Sequence, residues 1–214
     1  MKNIRKIKKS ELVKPIKCLL ICLISFSAFG QSDYEKEIKQ HRENYKEDFL
    51  NNLNSPLAQE DLTNLDFYEP NEEFIVYSKF KPGGKSMPFE IPTSSGKMKT
   101  YTRFGQLTFK IGGKKQRLTV YRSMDLMRNP LYKDYLFIPF KDKTSGKSTY
   151  GGGRYLDLRM GDVSGEQIWL DFNKAYNPYC AFSAGYSCPI PPEENHLKVA
   201  IAAGEKNFKG AIKE

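Results

Sequence analysis

Residues 107–121 read LTFKIGGKKQRLTVY, and this stretch decides the fold. Apolar and polar side chains alternate on both sides of the glycine pair, which is the period-two pattern of half-buried β-strands. Two such runs joined by the glycine-rich loop Gly112–Lys115 predict a β-hairpin. A hairpin at this position indicates an antiparallel sheet.

Runs of aromatic and β-branched residues predict further short strands on both sides of the hairpin. They cover residues 73–80, 135–140, 154–158, 167–172 and 197–202. The last of these runs should close the sheet. Pro139 has no N–H to offer a neighbouring strand, which predicts an edge or strand-end position for it.

An amphipathic helix precedes the strands. Between Tyr34 and Leu53, apolar residues recur at intervals of three, four and seven, and the remaining residues are mostly charged or polar. Pro56 ends the helix, because the residue before a proline avoids the helical conformation. The sequence therefore predicts a mainly β, α+β fold. An N-terminal helix would pack on an antiparallel β-sandwich or a partly open β-barrel of about seven or eight strands.

The N-terminus has the pattern of a secretory signal peptide. Seven basic residues lie among the first thirty, together with the apolar run 18–24 and the small-residue exit Ala28-Phe-Gly30. The run is shorter than the roughly 20 residues of a transmembrane helix, so no transmembrane segment is predicted. We expect residues 1–30 to be a signal peptide and residues 31–214 to form one exported domain, periplasmic or secreted. Within it, the helix would cover 31–54 and the β domain 72–214.

The charge of the chain is concentrated in this N-terminal segment. The whole chain has 34 Lys+Arg and 25 Asp+Glu, a formal net charge of +9. Seven of the basic residues and one acidic residue lie in 1–30, so the remainder has a net charge of only +3. Nucleic-acid-binding domains usually carry a strong basic footprint. Nucleic acid is therefore not predicted as a partner.

Two of the four cysteines, Cys180 and Cys188, follow the signal and lie eight residues apart. In an exported protein, a close pair suggests a disulfide that closes a short loop. Two metal thiolates and two buried reduced thiols are the alternatives. The chain has only two histidines and no CxxC spacing, so no metal site is predicted.

Polar residues are concentrated between residues 149 and 195. Side chains this dense at strand ends need partners, either in a ligand or in an internal network. The candidate ligand-binding residues are Arg154, Tyr155, Asp157, Asp171, Asn173, Tyr176, Asn177, Glu193 and Asn195.

Arg154 begins the predicted strand 154–158 directly after three glycines. Along that strand, Arg154 and Leu156 should share one face, and Tyr155 and Asp157 the other. A guanidinium matches a carboxylate bidentately. We therefore expect Arg154 to pair with one of three acids, which are Asp171, Asp157 and Glu193.

The C-terminal half resembles one protein family. The motifs are YGGGRYLD at 150–157, DFNKAYNPYC at 171–180, CPIPPE at 188–193 and the Ala203-Gly-Glu205 end. On these motifs the chain is identified as a member of the domain-of-unknown-function 1684 family, as an exported bacterial member. The resemblance implies family membership and no particular activity. Members without signal peptides carry both cysteines as well, which leaves the disulfide and reduced thiols as equal alternatives.

Two classes of function fit these residues. The first is a small-ligand-binding or structural β domain, with a site built from segments 150–157 and 171–180 and a small polar or anionic partner. The second is a small hydrolase-type enzyme that uses Asp157, Asp171 or Glu193 as acid and base and Arg154 as an anion clamp. No cofactor motif occurs, so no cofactor is predicted. Convergence of these side chains on an open cavity would favour binding or catalysis, and mutual pairing below the surface would favour a structural role.

Overall fold

A computed structural model describes the backbone of residues 14–165 and 167–214 and the side chains of residues 33–165 and 167–214. The chain divides into two compact units, residues 1–40 and 41–214. Helix α1, Lys14–Asn51, provides the described residues of the first unit and the first residues of the second. Among all residues that the structure describes, no helix is both long enough and apolar enough to cross a membrane. The predicted signal peptide, residues 1–30, lies outside the described side chains, so export stays a prediction.

The second unit contains one antiparallel sheet of seven strands. The strands are β1 Ile75–Pro82, β2 Phe89–Pro92, β3 Met98–Ile111, β4 Lys114–Ser123, β5 Tyr135–Phe140, β6 Arg154–Arg159 and β7 Gln167–Asp171. Their order is β6-β5-β4-β3-β1-β7, and β2 pairs with β3 outside this path. The sheet curls into a half-barrel, which confirms the predicted mainly β, α+β fold in its partly open barrel form.

Strands β3 and β4 form the predicted hairpin. Ile111 pairs with Lys114, so the turn holds two residues, Gly112 and Gly113, and not four. Both glycines have positive φ, 53° and 74°, as a tight hairpin turn of this kind requires. The sequence pattern does not predict β2, because its four residues include a proline and are too few to show alternation.

Side chains alternate between the two faces of the sheet. On β6, Leu156 packs in the main hydrophobic core, and the Arg154 guanidinium lies 5.4 Å from the ring of Phe140 in the same core. Tyr155 packs in a separate aromatic cluster on the opposite face, and Asp157 bonds to a tyrosine beside that cluster. The predicted division of β6 between two faces is therefore confirmed.

The C-terminal segment lies against the main core without forming a strand. Residues 197–202 were expected to close the sheet, and that prediction is wrong. Ile201 is fully buried, but side chains hold its backbone: its N–H donates to Asp142 Oδ1 at 3.2 Å, and its carbonyl accepts from Arg154 Nη2 at 2.9 Å. Leu197 and Val199 bond the backbone of residues 141–143, but side chains hold Ile201, so no regular strand forms. The alternating pattern alone could not predict this.

Strand β5 lies between β6 and β4, so it is not an edge strand, and Pro139 is its next-to-last residue. At this point the side chain of Asn195 lies between β4 and β5. Its Nδ2 donates to the carbonyls of Thr119 at 2.9 Å and Pro139 at 2.8 Å, and its Oδ1 accepts from the Thr119 N–H at 2.7 Å. The amide thus supplies the backbone hydrogen bonds that Pro139 cannot make.

Candidate functional site

The face opposite the main core is aromatic where β3, β4, β5 and β6 meet. The ring of Phe137 lies 5.8 Å from Tyr101 and 4.7 Å from Tyr155, measured between centroids. Tyr176 joins the cluster from the segment after β7, because its backbone exchanges two hydrogen bonds with Tyr155. The rings of Tyr155 and Tyr176 lie 5.9 Å apart. The result is a continuous set of aromatic side chains beside solvent.

Two cavities open on this aromatic cluster. The tyrosine cavity has a volume of about 360 Å³, and Lys99 is its one charged lining residue among the described side chains. Its tyrosines are Tyr101, Tyr135, Tyr155, Tyr176, Tyr179 and Tyr186. The acidic cavity has a volume of about 580 Å³, and its lining includes Tyr45, Asp48, Tyr132, Tyr135, Asp157, Arg159, Lys174, Tyr176 and Tyr179. Tyr135, Tyr176, Tyr179 and Leu126 line both cavities, so these residues form a shared wall.

Asp157 lies in the acidic cavity beside this wall. Its Oδ1 accepts from the hydroxyl of Tyr135 at 2.5 Å, and its Oδ2 accepts from the hydroxyl of Tyr176 at 2.8 Å. The Asp157 side chain is exposed to solvent, but the protein atoms around its carboxyl reduce its hydration, and this desolvation raises the pKa of Asp157 to about 6. The two phenol hydrogen bonds and the charge of Arg159 act in the opposite direction without cancelling the effect on this pKa.

The two phenols beside Asp157 keep their protons. Burial is the main cause that raises the pKa of Tyr135 and of Tyr176 well above the ordinary value, and the charge of Asp157 raises both further. They therefore act as fixed hydrogen-bond donors to the carboxylate.

The cations that line the acidic cavity pair with acids outside it and not with its own carboxylates. Arg159 already pairs with Asp134 at 2.9 Å, and Lys174 lies 3.9 Å from Asp171, so acids outside the lining partner both cations. Among the described residues, neither Asp48 nor Asp157 forms an ion pair with a cation. The cavity therefore presents, among tyrosine rings, two carboxylates without a direct ion pair to a described residue.

Comparison with known families matches residues 60–206 to the family described as "Protein of unknown function (DUF1684)". This match covers more than half of the chain. The chain belongs to the DUF1684 family. The finding confirms the resemblance drawn from the motifs of the C-terminal half.

This DUF1684 protein is similar to a solved structure. The solution NMR structure of an uncharacterized protein from Haloarcula marismortui has a TM-score of 0.64 and 32% sequence identity to it. The similarity covers 83% of this chain and 96% of that one. Among curated proteins, no match was found.

Four of the nine predicted ligand-binding residues line the cavities of the DUF1684 protein. Tyr155, Tyr176 and Asn177 line the tyrosine cavity, and Asp157 lines the acidic cavity together with Tyr176. The side chain of Asn177 is buried, and its Nδ2 donates to the carbonyl of Lys206 at 2.7 Å. Tyr155, Asp157 and Tyr176 are therefore the predicted residues that best fit a ligand site.

Arg154 lines neither cavity. Its side chain is completely buried and pairs with Asp142 at 2.9 Å. Its two terminal nitrogens also donate to three backbone carbonyls, those of Ile201, Ala203 and Glu205. Arg154 thus ties β6 to the C-terminal segment.

The predicted carboxylate partners of Arg154 are wrong. Asp142, in the turn after β5, takes the place expected for Asp171, Asp157 or Glu193. Spacing along the chain gave no sign of this, because a turn residue twelve positions away became the nearest acid only through folding.

The remaining four candidates lie away from these two cavities. Asp171 accepts from the Asn173 N–H at 2.9 Å, and the Asn173 amide bonds the backbone N–H and carbonyl of Asn71, each at 2.9 Å. Asn195 is buried between two strands, as described above, and Glu193 is exposed. These residues stabilise loops or face solvent.

Sequence reasoning missed much of the cavity lining. Tyr45 and Asp48 come from helix α1, Tyr135 from β5, and Tyr179 and Tyr186 from the segment after β7. The one available signal was the number of tyrosines, 13 in the chain. Their convergence depends on long-range topology, which that count does not contain. Within residues 33–165 and 167–214, no three His, Cys, Asp or Glu side chains are placed to hold a metal ion.

Cys180 and Cys188 form a disulfide in the DUF1684 protein, with Cα atoms 6.2 Å apart, which is one of the two alternatives that the sequence left open. The bridge closes the loop that carries Tyr186, and Cys188 itself lines the tyrosine cavity. The disulfide therefore fixes one wall of that cavity.

We expect the Cys180→Ser/Cys188→Ser double variant to lose roughly 2–3 kcal/mol of unfolding free energy, because the bridge closes a short loop in the unfolded chain. Chemical denaturation of both proteins measures the difference, and a reducing agent should lower the wild-type value to that of the variant. Mass mapping of non-reduced peptides checks the bridge itself. Two thiols that alkylate freely in the native protein would contradict it.

Proposed function

We propose that this DUF1684 protein is a small-ligand-binding domain and that its ligand is a small organic cation, such as an amine or a quaternary ammonium group. One observation carries the proposal: the hydrogen-bond partners of Asp157 are two phenols, and its carboxylate forms no direct ion pair with a described residue in a tyrosine-lined cavity. A ligand cation would supply the missing charge partner.

The aromatic walls of the acidic cavity, like its carboxylates, favour a cationic ligand. Tyr45, Tyr132, Tyr135, Tyr176 and Tyr179 line the acidic cavity. A cation over a tyrosine ring gains about 0.5–1 kcal/mol at exposed sites and about 2 kcal/mol where water is excluded. An anionic ligand would instead meet two carboxylates and two cations that are already paired.

Binding is better supported than the hydrolase alternative. That alternative required Arg154 as an anion clamp, but the Arg154 side chain is held by Asp142 and by backbone carbonyls. Both carboxylate oxygens of Asp157 are already engaged by phenols. We further propose that binding takes place outside the cytoplasm, on the strength of the signal-like residues 1–30 and the disulfide.

The test compares choline with its uncharged isostere 3,3-dimethyl-1-butanol, using ligand-observed NMR and calorimetry. We expect choline to bind and the neutral compound to bind more weakly. Asp157→Asn should lower choline affinity roughly tenfold or more, since the Coulomb attraction between a carboxylate and a quaternary ammonium about 5 Å away is worth roughly 1–3 kcal/mol near a protein surface. Glu60→Gln removes the same charge at an exposed position and should leave the affinity unchanged. Equal binding of both compounds, or equal losses in both variants, would refute the cation site.

The affinity should also depend on pH. Because the pKa of Asp157 is about 6, the carboxylate is charged above this pH and takes up a proton below it. Choline affinity should therefore fall as pH decreases from about 8 to about 5. His41, Lys174, Arg159 and Asp48 also face the cavity, so the Asp157→Asn profile serves as the reference. A wild-type profile identical to that reference would exclude Asp157 as the titrating group.

A further inference from the structure

A second surface, on the same face of the sheet as the aromatic cluster but on β1, β3, β4 and β7, is basic and aromatic. In the strand ladders of this surface, Lys79 on β1 lies opposite Thr108 on β3, and Thr108 lies opposite Arg117 on β4. These three side chains therefore share one face of the sheet. Positions two residues away along each strand share it too. We call this surface the basic face, and its cations and rings are Tyr77, Lys79, Lys81, Lys110, Lys115, Arg117 and Trp169. Asp171, at the end of β7, lies on the same face, and Lys174 lies 3.9 Å from it.

The cations of the basic face are arranged unfavourably for an isolated protein. Lys110 lies directly opposite Lys115 in the β3–β4 ladder, and like charges at opposed positions destabilise a sheet. Among the described residues, no carboxylate forms an ion pair with Lys79, Lys81, Lys110, Lys115 or Arg117. Glu193 shares a shallow cavity with Lys115 and Arg117 but does not pair with them. An external anionic partner would relieve this repulsion.

The aromatic part of the basic face is unusually exposed. Trp169 is 66% exposed and Tyr77 is 44% exposed, and their ring centroids lie 5.1 Å apart. Both are adjacent to the cations, because Trp169 pairs with Tyr77 and Tyr77 lies two residues from Lys79. Tryptophan and tyrosine are the residues enriched at the boundary between lipid headgroups and hydrocarbon.

We propose that the basic face docks on the surface of an anionic phospholipid bilayer. Anionic headgroups would neutralise the cations, and the rings of Trp169 and Tyr77 would enter the interface. A soluble acidic polymer would satisfy only the cations, whereas a bilayer surface satisfies both parts of the face. This inference is independent of the proposed ligand site.

Trp169 makes the docking measurable, because it is the only tryptophan in the chain. The basic and apolar residues 1–30 could bind vesicles themselves, so the readout is the emission of Trp169 in the full chain and not total binding. With vesicles of phosphatidylcholine and phosphatidylglycerol, we expect this emission to move to shorter wavelength and to be quenched by brominated lipid. High salt should reverse the shift, since it screens exposed charges.

The variant that tests the charges is Lys110→Gln/Lys115→Gln. Each cation near an anionic surface contributes roughly a fivefold gain, so the lipid concentration for half-maximal shift should rise roughly 25-fold. The variant should fold as well as wild type, because it removes a repulsive pair. Lys143→Gln/Lys147→Gln removes the same charge from an exposed turn elsewhere and should leave the half-maximal concentration unchanged.

Three outcomes would overturn the proposal. The first is no Trp169 shift on anionic vesicles, and the second is an equal shift on phosphatidylcholine alone. The third is a shift with dextran sulfate but none with vesicles, which would make the partner an acidic polymer. Equal losses in the two double variants would likewise show that net charge, and not the basic face, governs the response.

Discussion

Replacing Arg154 with alanine should lower the unfolding free energy by roughly 3–5 kcal/mol, because Asp142 would be left as an unpaired buried charge. Both side chains of this pair are completely buried. The variant would also leave the carbonyls of Ile201, Ala203 and Glu205 without their guanidinium donor. At about 2–4 °C per kcal/mol for a domain of this size, the melting temperature should fall by roughly 6–20 °C.

Arg117→Ala is the matched control for this prediction. Arg117 also belongs to a strand, but its side chain is exposed, so its removal should change stability by about 0.5 kcal/mol or less. Thermal and chemical denaturation of both variants measure the difference. Because Arg154 lines neither cavity, choline binding per folded molecule should persist in Arg154→Ala. An unchanged melting temperature of Arg154→Ala would contradict the structural assignment.

The sequence was informative where structure depends on neighbouring residues. Alternation predicted the hairpin of β3 and β4, and it placed Tyr155 and Asp157 on the face opposite Arg154 and Leu156. The two faces of β6 then acquire different roles. One face joins the core and the C-terminal segment, and the other faces the cavities.

The sequence was not informative where a partner comes from far along the chain. Residues 197–202 have the alternation of a strand, but the Arg154 and Asp142 side chains bind the backbone of Ile201, and the run does not continue as a strand. Pro139 lies near the end of β5, as its missing N–H predicted, but not on an edge strand, and the amide that bonds β4 beside it belongs to Asn195. The pattern of one segment indicates that its backbone groups require hydrogen-bond partners, but it does not indicate which distant residue provides them.

The candidate site shows the same limit. Asp157 was identified as a candidate because it lies beside Tyr155 in a dense polar segment. Its phenol donors, Tyr135 and Tyr176, could not be assigned from spacing, because the ladder of β5 and β6 brings Tyr135 to it from 22 residues away. The sequence predicted the site only in part, because β6 provides one wall of the acidic cavity and four other segments of the chain provide the other walls.

The second large effect is a dependence of the unfolding free energy on pH, and it arises from Glu205, whose carboxyl group is completely buried beside Tyr45 of helix α1. Its Oε2 accepts from the Asn177 N–H at 2.8 Å and from the Tyr45 hydroxyl at 3.0 Å, while its Oε1 has no hydrogen-bond partner among the described residues. Burial raises the pKa of Glu205 to about 7, although these hydrogen bonds and the nearby Arg154 charge oppose the rise. The folded protein therefore retains this proton at a pH where the unfolded chain has lost it.

The sign of the pH dependence follows from this difference. Because the folded pKa lies above the unfolded value, the stabilising contribution of Glu205 is fully present below about pH 4.5 and is lost as pH rises through about 7. Between about pH 5 and about pH 8 the loss should be about 2–3 kcal/mol of unfolding free energy. Asp157, with a raised pKa of about 6, also lowers the unfolding free energy as pH rises, but at lower pH. The change in unfolding free energy with pH above about pH 6 is therefore due mainly to Glu205.

Glu205→Gln separates Glu205 from every other titrating group. Glutamine has the shape of the protonated acid and stays neutral, so the variant should match wild type near pH 5 and be more stable than wild type near pH 8. Urea denaturation across this range gives the difference in free energy at each pH, and Glu60→Gln controls for the same change in net charge at an exposed position. A difference between Glu205→Gln and wild type that stays constant from pH 5 to pH 8 would show that Glu205 does not carry a raised pKa. In that case, the hydrogen bonds from Asn177 and Tyr45 would be strong enough to keep the buried carboxylate charged.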